Sequence, residues 1–514
     1  MINISNELDA NDENNRLSYI KNLDNFLFKF IIINIINNLI LYYASNEFLA
    51  AITYTLTLFY FFLNFIKYYK NYFIALFAQC FVVFLINLTY LTFIATLIIN
   101  NFVFNTSLEQ AMLIYFYCDL NTYFLANIYL LFFSLSVLFF NKLIFKSLKI
   151  LVIKKIDLTN ILFDIKKIKL LILLPISFEL FLYFNGIVGS QQSGGFLAGE
   201  STWYTQFYLF VVTFHILLNI LLLTSYTVYK IQFYDKIFLL ISFILNLLFY
   251  GFYERRLILI FFVINFFLYF LISQKKIFTF KTLLIYIFSF FIIFQSFVFL
   301  GSIRSSYMVT GQESLRSIIE DGKVFSFLKD NKINKSGKKS FIENLRFRMF
   351  NNHELATLIY YDDFKSKNSL NGNMLLVSLI KMIPAVIYPN KKNFIAGEPL
   401  IATITESPLY ITDTSDSLHS YSYADFNLIG LIIYPIIINL VFFVIYKIIS
   451  SKIILNLSSV YIVAIICPLI TIRAIEGTLI DWFITSRNII IFILLFNLLL
   501  KFIIQKKIET KNEN

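Results

Sequence analysis

The chain has 514 residues, of which 59% are hydrophobic, 19% aromatic and 14% charged, with a formal net charge of +12. A mean hydropathy of +0.74, carried by apolar runs that recur from end to end, excludes a disordered chain, a collagen-like repeat and a soluble enzyme on a small anchor. Cys80, Cys118 and Cys467 are too few and too scattered for a disulfide framework or a metal cluster.

A bilayer core about 30 Å thick takes about 20 apolar residues per helix. The composition therefore predicts an all-α polytopic membrane protein of about twelve transmembrane helices. Residues 1–23 are polar and rather acidic, without a signal peptide, and form a cytoplasmic tail. Residues 24–300 hold the first nine spans: Phe26 to Tyr43, Phe48 to Ile66, Tyr72 to Ile99, Tyr123 to Phe140, Leu170 to Phe184, Phe207 to Tyr229, Ile237 to Phe252, Leu257 to Ile272 and Leu283 to Leu300. Residues 301–427 form one large outer loop with amphipathic helices. Residues 428–504 hold the last three spans, Leu428 to Tyr446, Ile453 to Ile472 and Ile489 to Ile503, and residues 505–514 a second cytoplasmic tail.

Lys and Arg in the short loops set the orientation. With both termini in the cytoplasm, Lys67, Lys70, the eight lysines from Lys142 to Lys169, Lys230, Lys236, Lys275, Lys276, Lys281, Lys447, Lys452 and Lys501 to Lys511 all fall inside. Of nine arginines only Arg16 then lies inside; Arg255, Arg256, Arg304, Arg316, Arg346, Arg348, Arg473 and Arg487 lie at or beyond the outer surface. A planar, permanently charged guanidinium grips phosphate in a bidentate manner, so the outer arginines point to an anionic partner. Pairing with outer carboxylates or lipid phosphates is the plainer alternative.

Several constellations carry chemistry. Glu254, Arg255 and Arg256 sit in the tight turn between the seventh and eighth spans, Arg304 follows the ninth and Arg473 the eleventh. Within the loop, Phe341 to Tyr361 reads as a helix with Leu345, Met349, Leu355 and Ile359 on one stripe and Arg346, Phe350 and His353 on another. Leu375 to Tyr388 is a shorter apolar stretch at the membrane interface, closed by Pro384 and Pro389, with Lys391 and Lys392 marking the headgroup level. Asp413 to Asn427 gathers hydroxyls, aromatics and carboxylates, among them His419, Tyr421, Tyr423 and Asp425; such a surface suits sugar rings, and aromatics also form interfacial belts. Glu179, in mid-span beside Pro175, is either functional or held by a buried partner, while His215 reads as a satisfied core residue. The sequence has no phosphate-cradling Gly loop, zinc-ligand spacing or nucleophile elbow.

The stretches GFYERRLILIFF, NLRFRMFNNHELATLIYY, NGNMLLVSLIKMIPAVIYPNKKNF and HSYSYADFNLIGLIIY resemble the O-antigen and capsular oligosaccharide repeat-unit polymerases of the Wzy type, over roughly the second half of the chain. The sequence departs from that pattern at Asn427, where a Gly is common, and in its ERR turn. The resemblance implies a multi-pass protein of the bacterial inner membrane with a periplasmic loop. It implies metal-independent glycosyl transfer between undecaprenyl-pyrophosphate-linked oligosaccharides, with lipid pyrophosphate as leaving group and no cofactor. Chain-length regulator and flippase proteins are the implied partners, and no nucleic acid. In such a site Arg255, Arg256, Arg304, Arg473, Arg346 and Arg348 hold diphosphate, while His353, Glu254 or Asp425 accepts the acceptor hydroxyl's proton. Tyr421, Tyr423 and His419 bind sugar. The alternatives are an O-antigen ligase acting on lipid A core and a flippase or secondary transporter.

Overall fold

The computed structural model describes residues 10–69, 73–74, 77–116, 118–144, 152–153, 162–184, 211, 214–215, 218–219, 221–222, 232–253, 352–364, 369–383, 387–394, 417–449, 451 and 479–505. These residues are overwhelmingly helical, joined by four two-residue strands. Five stretches are long and apolar enough to cross a membrane: Asn22–Ala44, Phe77–Phe102, Leu120–Ile144, Leu418–Ile449 and Trp482–Ile503. That is the composition of a helical membrane protein.

The chain divides into two compact units, one of Met1–Lys154, Leu345–Ile454 and Ile466–Ile490, the other of Lys155–Asn344, Leu455–Ile465 and Ile491–Asn514. In the first unit, α1 (Ala10–Ala44), α2 (Glu47–Tyr69), α3 (Phe77–Ile99), α4 (Leu108–Ala111) and α5 (Leu120–Ile144) follow in order, with β1 (Phe73–Ile74) paired antiparallel to β2 (Val152–Ile153). The polar residues of these helices cap the helix's own carbonyls, as helices in an apolar solvent require. Asn34 Nδ2 donates to Phe30 O at 2.7 Å, Thr89 Oγ1 to Leu85 O at 2.7 Å and Asn100 Nδ2 to Thr96 O at 3.0 Å. Glu47, at the start of α2, accepts the Leu108 amide at the start of α4 at 3.0 Å.

α5 is the hub, against which α1, α3, α8 (His353–Phe364) and α11 (Gly430–Ile449) all pack. Its partner α11 contains Pro435, which leaves the ladder one donor short. Asn439 bridges that turn, donating to Pro435 O at 2.8 Å and to Val137 O of α5 at 2.9 Å, and Asn141 Nδ2 donates to Asn439 Oδ1 at 3.0 Å.

Within the expected loop with amphipathic helices, Leu418–Phe426 forms a helix, α10, capped by Ser417. α10 runs through a 3-10 turn (Asn427–Ile429) into α11, so the apolar stretch starts at Leu418 rather than at residue 428. The bend is tight: a Cβ on Gly430 would stand 2.1 Å from Ser422 O. Asn427 takes φ +48°, where glycine is favoured. Tyr129 of α5 holds the bend from outside, its hydroxyl 2.8 Å from Ser422 Oγ and 3.1 Å from Asn427 O.

In the second unit, α6 (Ile165–Phe184) and α7 (Phe233–Tyr253) pack together, and β3 (Leu162–Phe163) pairs antiparallel with β4 (Ile504–Gln505). Asp235 at the start of α7 forms an ion pair with Lys169 of α6. α12 (Leu479–Ile503) begins in the first unit and ends in the second.

Candidate functional site at the ends of α9

α9 (Asn373–Met382) is short and two-faced. Met374, Val377 and Ser378 are buried, whereas Leu376, Leu379 and the following Ile383 and Ile387 are exposed. Its N-cap is Gly372, at φ +84°, which has no side chain to offer the first amides. Asp425 of α10 supplies what is missing: Oδ1 accepts Met374 N and Oδ2 accepts Leu375 N, each at 2.9 Å, and Tyr434 Oη donates to Oδ2 at 2.7 Å. A carboxylate at a helix N-terminus satisfies two orphan donors and the positive end of the macrodipole together.

The other end is held by cations. Lys391, on the 3-10 turn Pro389–Asn393, returns to donate to Lys381 O at 3.1 Å and Ile383 O at 2.6 Å. Arg487 of α12 donates through Nη1 to Met382 O, and through Nε and Nη2 to Asn488 Oδ1 at 3.2 and 3.0 Å. Desolvation, then the charges of Arg487 and Lys381, pull the Lys391 ammonium below the ordinary lysine range. Burial does the same to Lys381. Among the described residues no carboxylate pairs with any of the three.

Capping accounts for part of this cluster and leaves part over. An ammonium has three donors and a guanidinium five; two of the former and three of the latter are engaged here. Among the described residues, one N–H of Lys391, two of Arg487 and the Lys381 ammonium have no acceptor. Three cations at one helix end with donors to spare make a site for a multivalent anion, phosphate above all.

A second polar group ties the outer segments to the bundle. Asn352, just before α8, donates through Nδ2 to Asn127 Oδ1 of α5 at 2.7 Å, and its Oδ1 lies 2.8 Å from His419 Nε2 of α10. Asn127 donates to Tyr54 Oη at 2.8 Å, Tyr54 to Asn38 Oδ1 at 2.7 Å, and Asn38 to Tyr90 Oη at 3.1 Å. Every member of this chain is buried, so it fixes where α8 and α10 begin.

The expected site residues fall accordingly. Asp425 is fully buried and caps α9. His419 and Tyr421, read as sugar-binding, are 1% and 0% exposed. Tyr423 is half-buried, its ring edge-on to Tyr129 with centroids 5.3 Å apart. His353 is buried in the first turn of α8. Glu254, Arg255, Arg256, Arg304, Arg346, Arg348 and Arg473 lie outside the described residues. Lys381, Lys391 and Arg487 were not among the expected binding residues; the outer placement of Arg487 and the Lys391–Lys392 pair were the signals that pointed toward them.

No family model matches the chain, and neither a curated protein nor a solved structure matches it.

Proposed function

We propose that this protein is an oligosaccharide repeat-unit polymerase of the bacterial inner membrane. It moves a growing glycan from one undecaprenyl pyrophosphate onto the nonreducing sugar of the next lipid-linked unit, without a metal. The observation that carries the reading is the cluster of Lys381, Lys391 and Arg487 at the end of a helix whose other face is apolar and exposed. A lipid diphosphate presents both partners that this arrangement lacks, a multivalent anion for the cations and a hydrocarbon for the apolar face. Fixed cations also stabilise the charge that develops on a departing pyrophosphate, with no reorganisation at the moment of reaction.

The rest of the reading follows the charge pattern of the sequence. Twelve spans, both termini in the cytoplasm and residues 301–427 in the periplasm put α9 and its cations on the outer side. Arg255, Arg256, Arg304, Arg346, Arg348 and Arg473 add further diphosphate contacts. His353 or Glu254 takes the acceptor proton, and Tyr423 meets sugar. Asp425, His419 and Tyr421 position α9 and α10. Flippase and chain-length regulator proteins work beside it.

The test is deletion of the gene and inspection of surface glycan on a gel. A polymerase defect leaves caps of a single repeat and no ladder. Unchanged ladders refute the assignment, and complete loss of capped core transfers it to an O-antigen ligase.

A further inference from the structure

The second unit contains a cluster that polymerisation does not use. Glu179 on α6, Ser242 on α7, and His215 and Asn219 meet in the interior, and all four are at most 1% exposed. His215 Nδ1 lies 2.9 and 3.1 Å from the two Glu179 oxygens, and His215 Nε2 lies 2.9 Å from Ser242 Oγ. The Ser242 hydroxyl donates to Asn219 Oδ1 at 2.6 Å, and Asn219 Nδ2 has no partner among the described residues.

This is the order of contacts in an acid, base and nucleophile triad: carboxylate to one imidazole nitrogen, the other nitrogen to a hydroxyl. An ionised Glu179 fixes the imidazole proton on Nδ1, which leaves Nε2 free to accept from the hydroxyl. A staple between apolar helices needs only neutral Ser, Thr or Asn, as the Asn141–Asn439 pair demonstrates. A carboxylate and an imidazole in mid-span are far more costly and call for a chemical reason. Turning the Asn219 amide half a turn releases the Ser242 hydroxyl from Asn219 Oδ1 to donate to His215 Nε2, and sets the unpartnered NH2 beside Ser242, where an oxyanion would develop.

From this juxtaposition we propose that Ser242, activated by His215 and Glu179, is an intramembrane nucleophile that accepts an acyl group from a membrane-dissolved ester. Its flanking residues on α7, Ile241 and Ile244, are 53% and 47% exposed, and Phe181, two residues beyond Glu179, is 56% exposed. The cluster therefore lies one side-chain layer below an apolar surface, and its substrate arrives from lipid. Ser242 Oγ bonds to the ester carbonyl carbon as its proton passes to His215 Nε2, and the carbonyl oxygen takes the negative charge beside Asn219. The carbon–alkoxide bond then breaks and His215 returns the proton to the departing alcohol. A second hydroxyl, from water or a sugar, repeats the sequence on the acyl-serine and regenerates Ser242.

The purified full-length chain is treated in lipid nanodiscs with a long-chain alkyl fluorophosphonate, and adducts are located by peptide mass mapping. The expected result is one phosphonylated residue, Ser242, with no adduct in Ser242→Ala and labelling slowed by at least about 100-fold in His215→Gln. Lack of an adduct on Ser242 in the wild-type chain overturns the proposal, as does labelling at the same rate in His215→Gln. If Ser242→Ala does not fold, mapping the wild-type adduct decides the matter alone.

Discussion

Asp425→Asn separates two roles for one carboxylate. As the cap of α9, Asp425 accepts two backbone amides at 2.9 Å and a tyrosine hydroxyl at 2.7 Å. An asparagine retains one acceptor oxygen, so its NH2 faces either the Met374 amide or the Leu375 amide together with the Tyr434 hydroxyl. Either arrangement leaves a buried backbone donor unsatisfied, at about 1–3 kcal/mol. Loss of the negative charge at the helix N-terminus adds about 0.3–1 kcal/mol. The expected cost is thus about 1–4 kcal/mol, read as a lower denaturation midpoint in detergent and faster proteolysis between Asn373 and Met382. Asp425→Ala removes both acceptors and destabilises further. A variant of wild-type stability that has lost all polymerisation would refute the capping argument and return Asp425 to the role of base.

Other substitutions probe other links. Gly430→Ala drives a methyl to 2.1 Å from the Ser422 carbonyl, a backbone clash, and should lower stability by at least about 2 kcal/mol. Asn427→Gly relieves a non-glycine residue at φ +48° and should raise stability by about 0.5–1 kcal/mol after the entropy of the unfolded chain is counted; a loss of stability there would contradict the strain. Asn352→Ala leaves Asn127 Oδ1 and His419 without their shared partner and should cost about 2–4 kcal/mol, with α8 and α10 more open to hydrogen exchange than α5. Lys391 loses its proton at a lower pH than exposed lysines, since burial, Arg487 and Lys381 all disfavour its charge. Reductive methylation should therefore reach Lys391 at lower pH, and inorganic phosphate should delay it by restoring the charged form; an ordinary lysine profile would contradict the cluster.

What the sequence made legible was what depends on composition and local pattern. The runs around Asn22–Ala44, Phe77–Phe102, Leu120–Ile144 and Trp482–Ile503 announce themselves because every helix in lipid must satisfy its own backbone. The contacts of Leu418–Phe426 are not written in its composition: its hydroxyls, carboxylate and tyrosines suggest solvent, while the fold turns them inward to Asn352, α9 and Tyr129. The cap on α9 comes from a residue about 50 positions away, and no capping motif in the sequence betrays it. The cations cluster because the chain reverses between Met382 and Lys391 and because α12 delivers Arg487 from 105 residues away. Likewise His215 reads as core and Glu179 as functional or held by a buried partner, and only the fold brings the two within 2.9 Å. Spacing along a chain encodes neighbours on one helix; pairs across helices belong to packing.

The central claim, that the cations at the end of α9 hold a lipid diphosphate, is tested most directly by binding. A long-chain polyprenyl diphosphate is titrated onto the purified full-length chain and onto Lys391→Gln/Arg487→Gln. Each lost phosphate contact is worth about 1.5–3 kcal/mol, so the double variant should bind at least about 100-fold more weakly, with polyprenol itself binding neither chain tightly. Equal affinity of the two chains for the diphosphate would contradict the claim.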